Sequence, residues 1–221
     1  MSESAFYQYQ KPVARLFQIP ANYAREKMFD RFITAVSPSA TMSVLDVGVT
    51  CQERSYCNTF EKLYPYPEKI TAVGLEDAAF LEKEFPGLTF VRADALNLPF
   101  ADKTFDIAVS WAVIEHVGNR QRQRKLIEEM VRVSRVCFIT TPNRWYPIEF
   151  HTVLPFLHWL PPETFRRLLK SMGREFFAAE ETLNLLSETE FVDLLPPGIK
   201  VECLHFRLFG LVSNLILKLE S

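Results

Sequence analysis

The chain has 221 residues, 48% of them hydrophobic and 24% charged, and its 25 basic and 27 acidic side chains leave a formal net charge of −2. That length suits one domain with an insertion, large enough to bury its core without staples. The near-balance of charge gives no electrostatic reason to expect nucleic acid as a partner, because phosphate binding needs a basic surface. The four cysteines form no CxxC pair, and Cys137 lies inside the apolar run VCFIT, so they read as free thiols of a reducing, cytoplasmic compartment. The N-terminus is polar, without the apolar core of a secretory signal. No run reaches the roughly 18 apolar residues of a membrane span.

Residues 11–36 place apolar side chains at helical spacing: Val13, Leu16 and Phe17, then Tyr23, Met28, Phe29, Phe32, Ile33 and Val36. Pro20 has no N–H for the helical ladder, so two helices are expected with a break there. The SPSAT stretch at 37–41 is a turn. Val44-Leu45-Asp46-Val47 is a short, mostly apolar strand of the kind that parallel sheets cover on both faces. Further strands are expected at 69–75, 88–92, 105–110 and 136–140, with helices near 78–84 and 121–133. This alternation, sustained over about 100 residues, argues an α/β fold with a parallel sheet. The pattern then changes: 163–170 and 188–194 read as helices, while 201–206 and 211–219 read as an antiparallel hairpin at the sheet edge, turning at Gly210. The whole is one domain, 1–221, with N-terminal helices over 1–40 and an insertion over 141–195.

Open α/β sheets bind ligands outside the carboxyl ends of their strands. Three acids stand at successive strand ends here. Asp46 leads into Gly48, where the backbone can approach a ligand closely. Glu76, followed by Asp77, closes the second strand and can accept both hydroxyls of a ribose. Asp94, followed by Ala95, closes the third and can accept from an adenine amino group. Each acid alone is equally a helix cap or turn residue; together they describe a rim for a nucleoside.

The segments VLDVG, AVGLED, RADALNLPF, FDIAVSWAVIEHV and TPNRW, in this order, resemble the successive motifs of class I S-adenosylmethionine-dependent methyltransferases. The likeness covers about residues 40–145. It implies a Rossmann-like, doubly wound sheet, mostly parallel with an antiparallel C-terminal edge strand. It also implies that S-adenosylmethionine is the cofactor, leaving as S-adenosylhomocysteine. By the resemblance, Asp46 and Gly48 shape the methionine pocket, Glu76 binds the ribose, Asp94 with Ala95 binds the adenine, and Ser110 and Trp111 line the pocket after the fourth strand. The chain departs from the D-x-G-x-G pattern with Thr50 in place of the second glycine. The Thr side chain either hydrogen-bonds the cofactor or narrows the site.

Transfer of a methyl group from a sulfonium needs mainly alignment and exclusion of water, and a base only where the acceptor must lose a proton. The segment after the fifth strand, from Thr141 to Pro162, mixes aromatic and polar residues and carries five prolines. Mostly apolar walls with a few polar groups are the composition of a small-molecule pocket. Within it Asn143, Arg144, Trp145 and His158 are candidate acceptor contacts, and His151 and Glu149 candidate bases; a lid with structural histidines is the alternative. With Arg166, Arg167 and Lys170 alongside, the same stretch would also suit contact with a membrane surface or an amphiphilic acceptor, lipid- or glycan-linked. The competing function is a nucleoside-binding module without catalysis. A nicotinamide oxidoreductase is disfavoured by the lack of G-x-G-x-x-G, and a serine hydrolase by the lack of G-x-S-x-G.

Overall fold

Seven strands make one sheet, and their order puts a reversal of winding beside the first strand. A computed structural model describes residues 13–52 and 57–221, with side chains from Pro20 onward. The readings made for the polar stretch 1–12, for the side chains of Val13, Leu16 and Phe17, and for 53–56 lie outside the described residues. The strands are β1 (Val44–Val47), β2 (Ile70–Gly74), β3 (Thr89–Arg92), β4 (Phe105–Trp111), β5 (Ser134–Pro142), and the hairpin of β8 (Lys200–Leu208) and β9 (Leu211–Glu220). They lie in the order β3-β2-β1-β4-β5-β9-β8. The first five are mutually parallel, and β9 runs antiparallel to both β5 and β8. The edge is therefore β8, and the last strand lies one place inside it.

The β1 strand is buried along its whole length, because helices cover both faces of the sheet. On one face α1 (Val13–Val36), α2 (Thr59–Leu63) and α3 (Phe80–Glu84) pack Met28, Phe32, Phe60 and Leu81 over Val44, Ile107 and Phe138. On the other, α4 (Arg120–Val133) sets Leu126, Ile127, Met130 and Val133 against Leu45, Ala108 and Ile139. Alternate residues of one strand thus serve opposite cores, as the two-residue period of a strand requires. The helical spacing of 121–133 supplies α4's apolar face, and Asn119 starts that helix by accepting from the backbone N–H of Arg122.

The expected break at Pro20 is not there: α1 is one helix with Pro20 inside it. Loss of one ladder hydrogen bond costs on the order of 3 kcal/mol. The helix from Ala24 onward recovers more than that by burying Ala24, Met28 and Phe32. Phe32 is the hub of an aromatic group, with ring centroids 5.4 Å from Phe60, 5.3 Å from Phe138 and 6.3 Å from Tyr64. These T-shaped and tilted contacts account for part of the phenylalanine content, and they lock α1 and α2 onto the sheet.

The insertion after β5 carries a small two-stranded sheet, β6 (Ile148–Glu149) with β7 (Leu154–Pro155), then α5 (Pro162–Ser171), α6 (Glu175–Ala178) and α7 (Glu188–Val192). It has its own core of Phe165, Leu169, Phe177 and Leu183. Pro162 starts α5, where a missing N–H costs nothing. A capping box between Ser187 and Glu190 starts α7.

Candidate active site

The order β3-β2-β1-β4 reverses between β1 and β4, so crossovers leave a crevice at their carboxyl ends. A cavity of about 780 Å³ opens there. Asp46, Gly48, Thr50, Glu76, Asp94, Ala95 and Trp111, seven of the residues singled out in the sequence for a cofactor, all line it.

The loop after β1 is held by backbone. The N–H groups of Gly48 and Val49 both donate to the carbonyl of Val73, at 2.8 and 3.0 Å. Gly48 has φ +104°, and a Cβ there would stand 2.4 Å from Cγ2 of Val113. Glycine is thus required by the left-handed backbone and by the packing of Val113, besides any approach of a ligand. Thr50 lies outside the left-handed region that its Gly counterpart could enter. Its N–H donates to Asn58 Oδ1 and its carbonyl accepts from Asn58 Nδ2, both at 3.1 Å. The hydroxyl accepts from the N–H of Gln52. Reciprocal bonds to the left-handed Asn58 therefore fix the end of this loop.

At the far side of the cavity, Glu76 Oε2 accepts from the Cys51 thiol at 2.9 Å. Asp94 Oδ1 accepts from the N–H of Leu96 at 2.9 Å, closing an Asx turn, and Asp94 lines the cavity. Asp77 does not line the cavity; it accepts from the N–H of Ala79 and caps the turn into α3. Ser110 is fully buried in β4 and also stands off the cavity wall.

The other end of the cavity holds a carboxyl pair that the sequence did not reveal. Glu61, on α2, is buried beside Asp46. Neither Glu61 oxygen meets a donor with hydrogen-bond geometry, and each carboxyl acts on the other's charge. Burial pushes the Glu61 carboxyl up to about 7, and burial together with Glu61 pushes Asp46 up as well. An acid on an amphipathic pentapeptide, TFEKL, carries no sequence signal that it will face inward.

On the acceptor side stand Glu115 and His116, in the turn after β4, and His151, after β6. His116 Nδ1 lies 2.6 Å from the carbonyl of Thr182, and His151 Nδ1 lies 2.6 Å from Glu149 Oε1. Both histidines line the cavity, whereas Glu149 is buried behind His151 and accepts also from the N–H groups of His151 and Thr152. Burial favours the neutral acid at Glu149, but the imidazole charge and these bonds outweigh it and hold the group down at about 2. Conversely, burial disfavours the His151 imidazolium, but Glu149 outweighs it and raises the group. Burial raises Glu115 to about 7 and lowers His116 to about 3.

Four expected acceptor contacts are not brought to this cavity. The Asn143 amide is spent on the carbonyl of Val212 and the N–H of Trp145. Arg144 pairs with Glu190 and lies 5.2 Å over the Trp145 ring, which is 52% exposed. His158 is buried, its Nε2 2.8 Å from the Tyr146 carbonyl. These side chains build the insertion, and the cavity is instead walled from that side by Phe150, His151, Val153 and Phe176. Arg25 and Phe29 of α1, and Asn214 of β9, complete the lining from elements far away in sequence.

Residues 45–136 match the family described as "Methyltransferase domain". Norajmaline N-methyltransferase of Rauvolfia serpentina is 42% identical over 91 residues, 40% of this chain and 29% of that protein. The tRNA (carboxymethyluridine(34)-5-O)-methyltransferase of Arabidopsis thaliana is 49% identical over 49 residues, 22% of this chain and 12% of that one. The aligned parts are thus less than a third of either relative's length. Among solved structures, the N-methyltransferase NodS from Bradyrhizobium japonicum WM9, in complex with S-adenosyl-L-homocysteine, superposes with a TM-score of 0.55 at 13% identity, covering 89% of this chain and 86% of that one.

Proposed function

Taking residues 45–136 as a class I methyltransferase domain that uses S-adenosylmethionine, we propose that the chain methylates a small or amphiphilic acceptor carrying a polar atom to the floor of this cavity. The observation that carries the reading is the division of the one cavity into matched ends. Glu76 and Asp94 offer oxygen acceptors for a ribose and an adenine amino group. The buried Asp46–Glu61 pair, short of donors, fits the ammonium of the methionine moiety. Bound there, the cofactor supplies an activated methyl on a sulfonium.

The protein's own part is placement. Trp111, whose ring stands 5.8 Å from that of Phe60, and Phe150 give apolar walls that exclude water around the reacting atoms. His151 meets the acceptor's polar atom, and Glu149 acts through it as a positioning residue, fixing the imidazole's tautomer and direction. Support for an amphiphilic acceptor comes from the insertion's outer face. There Trp145, Phe156 and Trp159 are exposed side by side, with Phe156 and Trp159 centroids 4.9 Å apart, and Lys170 is exposed on α5 of the same insertion. Aromatic and cationic groups together suit the boundary between water and lipid.

Titration calorimetry with S-adenosylhomocysteine tests the cofactor reading: saturable one-to-one binding is expected, and no heat with an intact fold rejects it. Transfer of labelled methyl to a panel of hydroxylated and amphiphilic small molecules then tests the acceptor class. Once an acceptor is found, His151→Ala should lower turnover by about 10²–10⁴-fold if the imidazole carries the acceptor's proton, with affinity for S-adenosylhomocysteine unchanged. A rise in KM alone would make His151 a binding contact.

A further inference from the structure

The geometry points to a divalent transition-metal site formed by Glu115, His116 and His151 on the acceptor side of the cavity. One ligand atom from each of these residues falls within a sphere of contact where all lie within 4.8 Å of one another. The two imidazoles cross at 88° with centroids 4.8 Å apart. Nδ1 of each ring already faces an oxygen acceptor, the Thr182 carbonyl for His116 and the Glu149 carboxylate for His151. A carbonyl and a carboxylate accept, so Nδ1 is the donor in each contact and Nε2 is the candidate ligand atom of each ring, the outer-shell pattern by which metal-binding histidines are oriented. His116 Nε2 stands 3.9 Å from Glu115 Oε1.

A second, independent feature asks for a cation. Glu115 is fully buried and its Oε1 has no hydrogen-bond partner, while Oε2 accepts from the Thr141 hydroxyl at 3.1 Å. An orphan carboxylate oxygen in a protein interior is costly, and it calls for a proton or an ion. Among the described residues, Glu115 and Glu149 favour a cation at the cluster, and the Arg25 guanidinium of α1 opposes it.

Two imidazoles and one carboxylate suit zinc, manganese or iron rather than magnesium or calcium, which prefer oxygen alone. Two ligands of one ion at about 2.1 Å each stand no more than about 4.2 Å apart, so the cluster closes by at least about half an ångström to seat it. Three protein ligands leave positions open, and both histidines line the cavity, so the open side faces the acceptor. An oxygen-bearing acceptor, a hydroxyl or carboxylate, is the class such a position takes. Only this last step rests on the proposed function; the ion site stands on the residues alone.

The test is calorimetry with ZnCl2 and with MnCl2 on chelator-stripped full-length protein, with bound metal counted by mass spectrometry. One ion per chain is expected. His116→Ala and His151→Ala should each weaken binding by at least tenfold, and Glu149→Gln, behind the imidazole, by about 10–100-fold. Glu115→Gln keeps the shape of the buried side chain and should weaken binding too. His205→Ala controls for adventitious zinc, since His205 sits on the surface beside Glu188, and it should change nothing. Binding of S-adenosylhomocysteine in the presence of chelator should survive in all of them. Absence of metal binding by the wild-type protein overturns the site, as does binding that persists in both cavity histidine variants or vanishes with His205→Ala. Any of these three results beside intact S-adenosylhomocysteine binding removes the ion and leaves the methyltransferase reading standing.

Discussion

Glu76 and Asp77 are adjacent acids, both expected at the cofactor with the ribose given to Glu76, and the backbone separates them. Glu76, in the bend after β2, lines the cavity, while Asp77 accepts from the N–H of Ala79. The ribose expectation thus falls on Glu76 alone. Glu76→Ala should weaken S-adenosylhomocysteine by about 1.5–3 kcal/mol, the scale of a hydrogen bond to a charged group. Calorimetry would read this as a loss of roughly 10–150-fold in affinity, and an unchanged value would return Glu76 to a role in fixing the Cys51 loop. Strand-end acids were legible because strands can be recognised by apolar runs and their ends follow. Glu61 was not, because its inward direction depends on where α2 docks. The acceptor side misled for a related reason: Asn143, Arg144 and His158 look reactive in sequence, but the insertion needs their hydrogen bonds to hold its own irregular backbone.

Among the elements, the loop between β1 and α2 gives the sharpest consequence. A side chain at Gly48 does more than block a ligand, because the structure places the conflict inside the protein. The positive φ costs about 1–3 kcal/mol for a residue with a Cβ, and the Val113 methyls leave no space. Gly48→Ala should therefore lower the midpoint of thermal unfolding without any ligand present. An unchanged midpoint with lost S-adenosylhomocysteine binding would restore the purely ligand-based account. The α/β alternation, the helix at 120–133 and the C-terminal hairpin were all legible as elements, each from periodicity. Pro20 was not, since a local rule about proline gives way to the burial of Met28 and Phe32 further along the same helix. The two-residue strands β6 and β7 are too short for any periodicity to register.

For the molecule as a whole, buried acids set opposing pH responses. Glu61 is raised to about 7 from an ordinary 4.5, so the folded state holds its proton more tightly than the unfolded chain. That contribution to stability is complete below about 4.5 and is lost as the pH rises through about 7. Glu129, bonded to Arg132, and Glu149, paired with His151, are both depressed to about 2. Their contributions are present above the ordinary carboxyl value and lost as the pH falls through about 2. The ligand-free protein should thus lose thermal stability between about pH 6 and 8. Glu61→Gln should reduce that slope, leaving the share of Glu115, also raised to about 7, and S-adenosylhomocysteine, by supplying an ammonium, should reduce it likewise in the wild type. Differential scanning calorimetry across this range decides it: a wild-type slope equal to that of the variant would separate the carboxyl pair from the pH response.

The position of β9 has a kinetic side. It is hydrogen-bonded on both flanks, to β5 and to β8, and its pairing joins Val136 to Glu220 across a long stretch of chain. Strand pairs so distant in sequence close late, after the loop entropy between them has been met. Until β9 arrives, the open edge of β5 is an unpaired row of backbone donors and acceptors, able to take a matching strand from a neighbouring molecule. Inserting its own hairpin first is a competition between intramolecular and intermolecular closure. Concentrated refolding is therefore expected to yield dimers that exchange β8 and β9 while keeping the cavity walls intact, apart from an Asn214 donated by the neighbour.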